Sequence, residues 1–106
     1  MNKTKTQLLI HTTELSGGSQ QELIELAPEE VSERTPILVR IHGHQIGNRA
    51  GGWAMIRPSF SFVEQGYRVL MPSMRGYGDS TGNPDFTGSQ TGEGIHTILQ
   101  EILENN

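Results

Sequence analysis

The chain has 106 residues, enough for one domain, and its 33% hydrophobic content can form a small buried core. Eight basic against twelve acidic residues give a net charge of −4 with no basic cluster, which argues against nucleic acid as the main partner. The sequence has no cysteine and no apolar run near the roughly 20 residues of a membrane span, so it predicts a soluble, cytoplasmic chain without disulfides, thiolate metal sites or a membrane segment.

Residues 7–27 predict a β-hairpin, because two apolar runs flank Gly17-Gly18 and glycine adopts the positive φ that tight turns require. Glutamates in the second run leave a helix over residues 21–27 as the alternative. The charged stretch that follows predicts an exposed connector.

Residues 36–71 predict a β–α–β unit. Its first strand is the run 37–41, whose unbroken apolar pattern is typical of a strand buried on both faces in a parallel sheet. A helix follows within 53–65 and ends at Gly66, which suits a left-handed cap. Residues 67–71 predict a second buried strand.

A glycine-rich loop over residues 73–90 comes next, and a helix over 91–104 ends the pattern. The helix is indicated by apolar residues at helical spacing from Ile95 to Leu103. Thr91 is its expected cap.

Two glycine-rich loops follow the two buried strands, where open α/β sheets place their ligand sites. The first begins with His42-Gly43-His44-Gln45, and the second is Arg75-Gly76-Tyr77-Gly78-Asp79-Ser80-Thr81-Gly82. Glycines there let backbone N–H groups approach a ligand closely.

These loops, in this order and spacing, resemble the α/β-hydrolase superfamily, and within it the prolyl-oligopeptidase-like serine peptidases and esterases. The resemblance extends over about residues 7–104 and covers only the first part of that family's catalytic domain. It implies a partial α/β-hydrolase fold, in which an antiparallel hairpin precedes the β–α–β unit and a further helix. The expected strand order is one, two, four, three, with strand three at an exposed apolar edge.

The resemblance also implies the roles of individual residues. The backbone N–H of His44 or Gln45 would form half of an oxyanion hole, and His44 stands where the prolyl-oligopeptidase branch has a tyrosine. Arg75, Gly76 and Tyr77 would face the substrate. His42, Gly43 and Asp79 would be structural.

Gly78 to Gly82 spell G-x-S-x-G, yet the context differs from a nucleophile elbow. A nucleophile elbow needs a strand directly before the motif and a helix directly after the serine. Here five residues separate the strand from Gly78, and Asn83-Pro84 follows. We therefore predict that Ser80 is not the nucleophile. The resemblance implies that nucleophile, acid and base lie beyond the chain end. An intact enzyme would need Ser80, His96 and Asp85 to act together.

The resemblance therefore implies the N-terminal portion of a serine-type hydrolase acting on a peptide or ester, without a cofactor, and inactive alone. We expect its partner to be a complementing C-terminal segment, or a second copy of the chain that associates through the open edge of strand three. A non-catalytic remnant or small-ligand binding module is the alternative. Less favoured is a metal-dependent hydrolase using the His42-x-His44 pair, since no further ligand stands at a recognised spacing and no metal is expected.

Overall fold

The computed structural model of the chain describes residues 5–43, 50–85 and 88–104. Its elements in chain order are strand β1 (Thr6–Glu14), strand β2 (Gln20–Pro28), strand β3 (Ile37–Val39), a 3₁₀ turn (Gly51–Met55), helix α1 (Ile56–Glu64), strand β4 (Arg68–Pro72) and helix α2 (Ser89–Glu104).

The four strands form one mixed sheet in the order β1-β2-β4-β3. β1 and β2 pair antiparallel, β2 and β4 pair antiparallel, and β3 runs parallel to β4. This confirms the predicted strand order and decides for a strand, not a helix, over residues 21–27. The hairpin turn contains Gly17 and Gly18, which have φ of 96° and 88°.

The sheet is covered by one helix on each face. On the first face, α1 and the 3₁₀ turn pack on alternate residues of the two central strands (Ile24, Leu26, Val69 and Met71). On the second face, α2 packs through Ile98 and Ile102 on the residues between them (Leu23 and Leu70). Because β2 and β4 are central and covered on both faces, they carry most of the core. The described residues thus form a small mixed sheet with two helices, consistent with a partial α/β domain.

β3 differs from the prediction in length and burial. It spans three residues instead of five, and Ile37 and Val39 are 42% and 40% exposed. The apolar pattern correctly predicts a strand parallel to β4, but the described residues place no further strand on its outer side. β3 is therefore the open apolar edge that the resemblance implies, and the prediction of burial on both faces is wrong.

The helix predicted within residues 53–65 is confirmed as α1, which follows the 3₁₀ turn and ends before Gly66 with its φ of 97°. The last helix begins earlier than the predicted residue 91. α2 begins at Ser89, and the Asp85 carboxylate accepts hydrogen bonds from the backbone N–H of Gln90 at 2.9 Å and of Thr91 at 3.2 Å. The Thr91 hydroxyl also bonds Asp85, so Thr91 is a donor to the cap and not the cap itself.

No helix within the described ranges combines the length and the apolar character needed to cross a lipid bilayer.

Candidate functional site

The candidate site is the edge of the sheet where the parallel strands β3 and β4 both end. The chain leaves β3 through residues 40–43 and leaves β4 through the loop 73–80. The Arg40 N–H donates to the Leu70 carbonyl at 2.9 Å and extends the pairing of the two strands beyond β3. The first loop returns to the same edge at the 3₁₀ turn, so segments on both sides of residues 44–49 lie beside the loop 73–80.

His42 joins the two loops. It is 3% exposed, and its Nε2 accepts a hydrogen bond from the Met74 N–H at 2.9 Å. Its Nδ1 lies 2.8 Å from the Gly43 carbonyl oxygen, so the ring is neutral and carries its proton on Nδ1. Burial lowers the pKa of His42, and the hydrogen bond to Gly43 opposes this shift. The Tyr77 ring packs on the imidazole at a centroid distance of 4.9 Å.

Glu22 on β2 is fully buried beneath these loops and binds three segments at once. Its carboxyl group accepts hydrogen bonds from the Ser73 hydroxyl at 2.8 Å, the Asp79 N–H at 3.2 Å and the Trp53 Nε1–H at 3.4 Å. No lysine, arginine or histidine of the described residues lies within ion-pair distance of it. Buried polar groups need partners, and these donors supply them.

Ser73 and Ser80 complete this buried network. The Ser73 hydroxyl accepts the Gly52 N–H at 2.9 Å, and the Ser80 hydroxyl donates to the Ser73 carbonyl at 2.8 Å while accepting the Glu22 N–H at 2.9 Å. A Cβ on Gly52 would collide with the Met71 carbonyl oxygen, so the 3₁₀ turn can lie this close to β4 only with glycine there. The network fixes the base of both loops to the sheet.

The predicted substrate-facing residues lie in three different environments. Arg75 is half-buried, packs against Gly82 and donates from Nε to the Asn83 carbonyl at 3.1 Å, closing the loop on itself. It makes no ion pair with Asp79 or Asp85. Gly76 is half-buried at the surface. The Tyr77 side chain is only 2% exposed, because its ring is packed between His42 and the core.

The structural residues of the prediction lie at the base of the loops. His42 and Gly43 share the hydrogen bond described above. Asp79 is exposed, and it contributes its backbone, since its carbonyl also accepts the Gln20 amide at 3.2 Å. His44 and Gln45, the expected oxyanion-hole donors, lie outside the described residues.

The geometry around Ser80 is not that of a nucleophile. Ser80 is 4% exposed, its hydroxyl donates its proton to a carbonyl oxygen, and among the described residues the next helix begins at Ser89. His96 is exposed on α2, and Asp85 is occupied by Thr91. The intact-enzyme arrangement of these three residues is therefore absent.

A metal site is not formed by the described residues either. They contain no group of three histidine or acidic side chains positioned to hold a metal ion. His42 Nε2 is occupied by the Met74 N–H, so it could not ligate an ion without breaking that bond.

A second polar cluster, which the sequence did not reveal, lies on the opposite face of the sheet. Glu25 is 2% exposed and bonds Arg68 through two contacts, at 2.6 Å and 3.4 Å, while His11 Nε2 lies 2.8 Å from the same carboxylate. This cluster borders a cavity of about 440 Å³ beneath α2. Glu22 and Glu25 are an odd number of residues apart, so a strand places them on opposite faces. The sequence could have indicated this cluster through that spacing, because carboxylates on both faces of a strand that is covered on both sides must find partners.

The comparisons with known proteins point to a peptidase family. The sequence profile of the family described as X-Pro dipeptidyl-peptidase (S15 family) matches residues 25–100. The matched range runs from the middle of β2 into α2 and includes both loops of the candidate site. No curated protein matches the chain.

Proposed function

The chain belongs to the X-Pro dipeptidyl-peptidase (S15) family, and we propose that it provides the oxyanion-hole portion of a serine-type hydrolase. In this proposal the backbone N–H of His44 or Gln45 stabilises the negative oxygen that develops when a carbonyl is attacked. Such donors contribute several kcal/mol to catalysis. The same proposal includes the α/β-hydrolase fold and a resemblance of the chain to the prolyl-oligopeptidase-like branch of that superfamily.

One observation carries the proposal: the hydrogen bond from the Met74 N–H to His42 Nε2. It ties the residue two positions before His44 to the loop after β4. Ser73, which is bonded to Glu22, accepts the Gly52 N–H and holds the 3₁₀ turn at the same sheet edge. The described residues on both sides of the first loop are therefore bonded to this edge. A loop that presents amides to a reacting carbonyl needs this kind of rigid base.

The substrate-facing loop of the proposal is Arg75, Gly76 and Tyr77. Arg75 and Gly76 supply the accessible surface, whereas the buried Tyr77 ring supports it from below by packing on His42. The family description names an X-Pro dipeptidyl-peptidase, which favours a peptide over an ester as substrate. We also propose a cytoplasmic location, in keeping with the absence of cysteine.

We propose that nucleophile, acid and base are supplied from outside these 106 residues. This is supported by the burial of Ser80 and by the engagement of His42 with the backbone. A complementing segment would pair with the open edge of β3, where the backbone groups of Ile37 and Val39 point away from β4. The Pro36 carbonyl accepts the Arg68 N–H and the Arg40 N–H donates to the Leu70 carbonyl. Even-numbered residues of this segment therefore bond β4, and the odd-numbered ones point to the other side.

The test is active-site labelling of the complete product of the gene with a fluorophosphonate probe, followed by peptide mapping. We expect the label on a serine outside residues 1–106, unchanged labelling in Ser80→Ala, and hydrolysis of an X-Pro anilide. The isolated 106-residue chain should show neither labelling nor hydrolysis. Label on Ser80 would overturn the proposal.

A non-catalytic binding module is the second candidate function. It is favoured by the complete engagement of Glu22, Ser73 and Ser80 in internal hydrogen bonds, which leaves only backbone and exposed loop atoms for a ligand. If the complete gene product carries no reactive serine, this candidate replaces the first.

A further inference from the structure

The outer edge of β1 has the properties of a self-pairing surface. β1 is nine residues long and forms one edge of the sheet. The Glu29 N–H donates to the Lys5 carbonyl and the Leu15 N–H to the Ser19 carbonyl, so the odd-numbered residues of β1 bond β2. The backbone groups of the even-numbered residues therefore point outward (Thr6, Leu8, Ile10, Thr12 and Glu14). No strand among the described residues pairs with them.

The middle of this edge is apolar on both faces. Leu8, Leu9 and Ile10 are 43%, 39% and 53% exposed. Alternation along the strand places Leu8 and Ile10 on the α1 side of the sheet and Leu9 on the α2 side. Long edge strands with exposed apolar side chains readily pair with another strand.

We propose that β1 pairs antiparallel with β1 of a second copy of this chain about a two-fold axis, giving a continuous eight-stranded sheet. A two-fold axis through such an edge keeps the faces of the two sheets aligned, so residues of equal parity oppose each other. The register centred on Leu9 gives every exposed apolar residue an apolar neighbour. Leu9 then faces its counterpart, and Leu8 faces Ile10 of the other copy.

Charge supports a second copy as the occupant. Within residues 5–14 the formal charges are Lys5 at one end and Glu14 at the other. Antiparallel pairing brings the Lys5 end of one copy beside the Glu14 end of the other and keeps like charges apart. β1 also offers a longer edge for pairing than β3, since β1 has nine residues and β3 has three.

The chain has no cysteine, so a single introduced cysteine can cross-link only to another copy. In the proposed register the Leu9 Cα atoms of the two copies are about 4.5 Å apart, within the range of a disulfide. We expect Leu9→Cys to form a disulfide-linked dimer on mild oxidation. The matched control Thr6→Cys places its sulfurs about 20 Å apart and should not cross-link. Val39→Cys tests pairing through β3 in place of β1.

Light scattering of the cysteine-free chain provides the second measurement. In freshly purified chain, before any slower association through the β3 edge, we expect a molar mass of about 23.4 kDa, twice the 11.7 kDa of the chain. Ile10→Pro removes an outward N–H without touching the bonds to β2, so it should halve the mass while the circular dichroism is kept. The combined Leu8→Lys and Ile10→Lys variant should be monomeric, because like charges then face each other, whereas Leu8→Lys with Ile10→Glu should keep the dimer.

A chain that is monomeric at roughly 0.1 mM, a concentration at which even weak association is detected, would overturn the proposal. Preferential cross-linking of Val39→Cys over Leu9→Cys would mean that the β3 edge pairs instead. Preferential cross-linking of Ile10→Cys over Leu9→Cys would mean another register of β1. Either result would also overturn the proposal.

Discussion

At the scale of single residues, Glu22 shows how a buried carboxyl group can organise two loops. It sits on a central strand with 0% exposure, and three donors from the first and second loops converge on it. Removing such an acceptor leaves one buried and two partly buried donors unpaired, which costs more than the net value of one hydrogen bond.

Glu22→Ala is expected to lower the free energy of unfolding by about 3 kcal/mol, from the unpaired donors and the cavity together. Glu22→Gln keeps the volume and one acceptor oxygen but turns an NH₂ group toward a donor, so the loss should be smaller. Urea unfolding followed by the emission of Trp53, the single tryptophan, measures both. The exposed Glu29→Ala is the control and should change stability by less than about 0.5 kcal/mol.

His42 makes stability depend on pH. Its pKa is lowered by burial, so the unfolded chain binds the proton more readily than the folded chain. Stability is therefore full above the usual histidine pKa of about 6.5 and decreases as the pH falls below it. Thermal unfolding measured between about pH 8 and about pH 5, the range in which a histidine titrates, should show this loss. In His42→Gln the slope over this range should be smaller, and an unchanged slope would contradict the prediction.

At the scale of elements, α2 depends on a residue outside it. Asp85 precedes the helix by four positions, and its carboxylate accepts from the first turn and from the Thr91 hydroxyl. A carboxylate at this end also meets the positive end of the helix dipole. Since α2 packs on Leu23 and Leu70, its N-terminal fixation affects the core on that face of the sheet.

Asp85→Ala is expected to destabilise the chain by about 1 kcal/mol, as loss of a cap does, and Asp85→Asn by less. The hydrogen bond from the Thr91 hydroxyl is the main cause of the lowered pKa of Asp85. Its contribution is therefore present above the usual aspartate pKa of about 3.9 and is lost as the pH falls through the lowered value. Denaturant unfolding at about pH 7 and about pH 3, on either side of the usual aspartate pKa, should give a smaller variant effect at the lower pH. An equal effect at both would exclude the carboxylate as the cause.

At the scale of the whole molecule, the sheet leaves more surface exposed than a closed domain of this size. The accessible surface is 6651 Å², against about 5,900 Å² expected for a monomer of 11.7 kDa. The molecule is also thin, at 46 × 31 × 17 Å. The exposed apolar residues of both edge strands, β1 and β3, contribute to this excess.

We expect the isolated chain to associate beyond a dimer through β3, because an exposed apolar edge recruits further strands. Replacing Ile37 and Val39 with threonine keeps strand propensity and makes the edge polar. Static light scattering over time should show less growth for this double variant, with little change in melting temperature. A wild-type chain that stays at a constant mass would contradict the role of β3.

Much of the fold follows from local patterns. The apolar run before Gly17-Gly18, the unbroken apolar strand before His42 and the helical spacing of Ile95 to Leu103 predict their elements, because strands and helices each have a characteristic apolar pattern. The glycines at the hairpin turn and after α1 mark the ends of elements because they have positive φ. The order of the strands required the family resemblance in addition to these patterns.

The sequence by itself determined the type of most elements and that two glycine-rich loops follow parallel strands, since apolar patterns and turn chemistry act over a few residues. Only the tertiary structure decided that Glu22 and Glu25 are buried on opposite faces, that Ser80 is locked to Ser73, and that Asp85 caps α2. These contacts join positions up to 58 residues apart, as between Glu22 and Ser80. Their partners are chosen by the packing of the sheet, which no local pattern encodes.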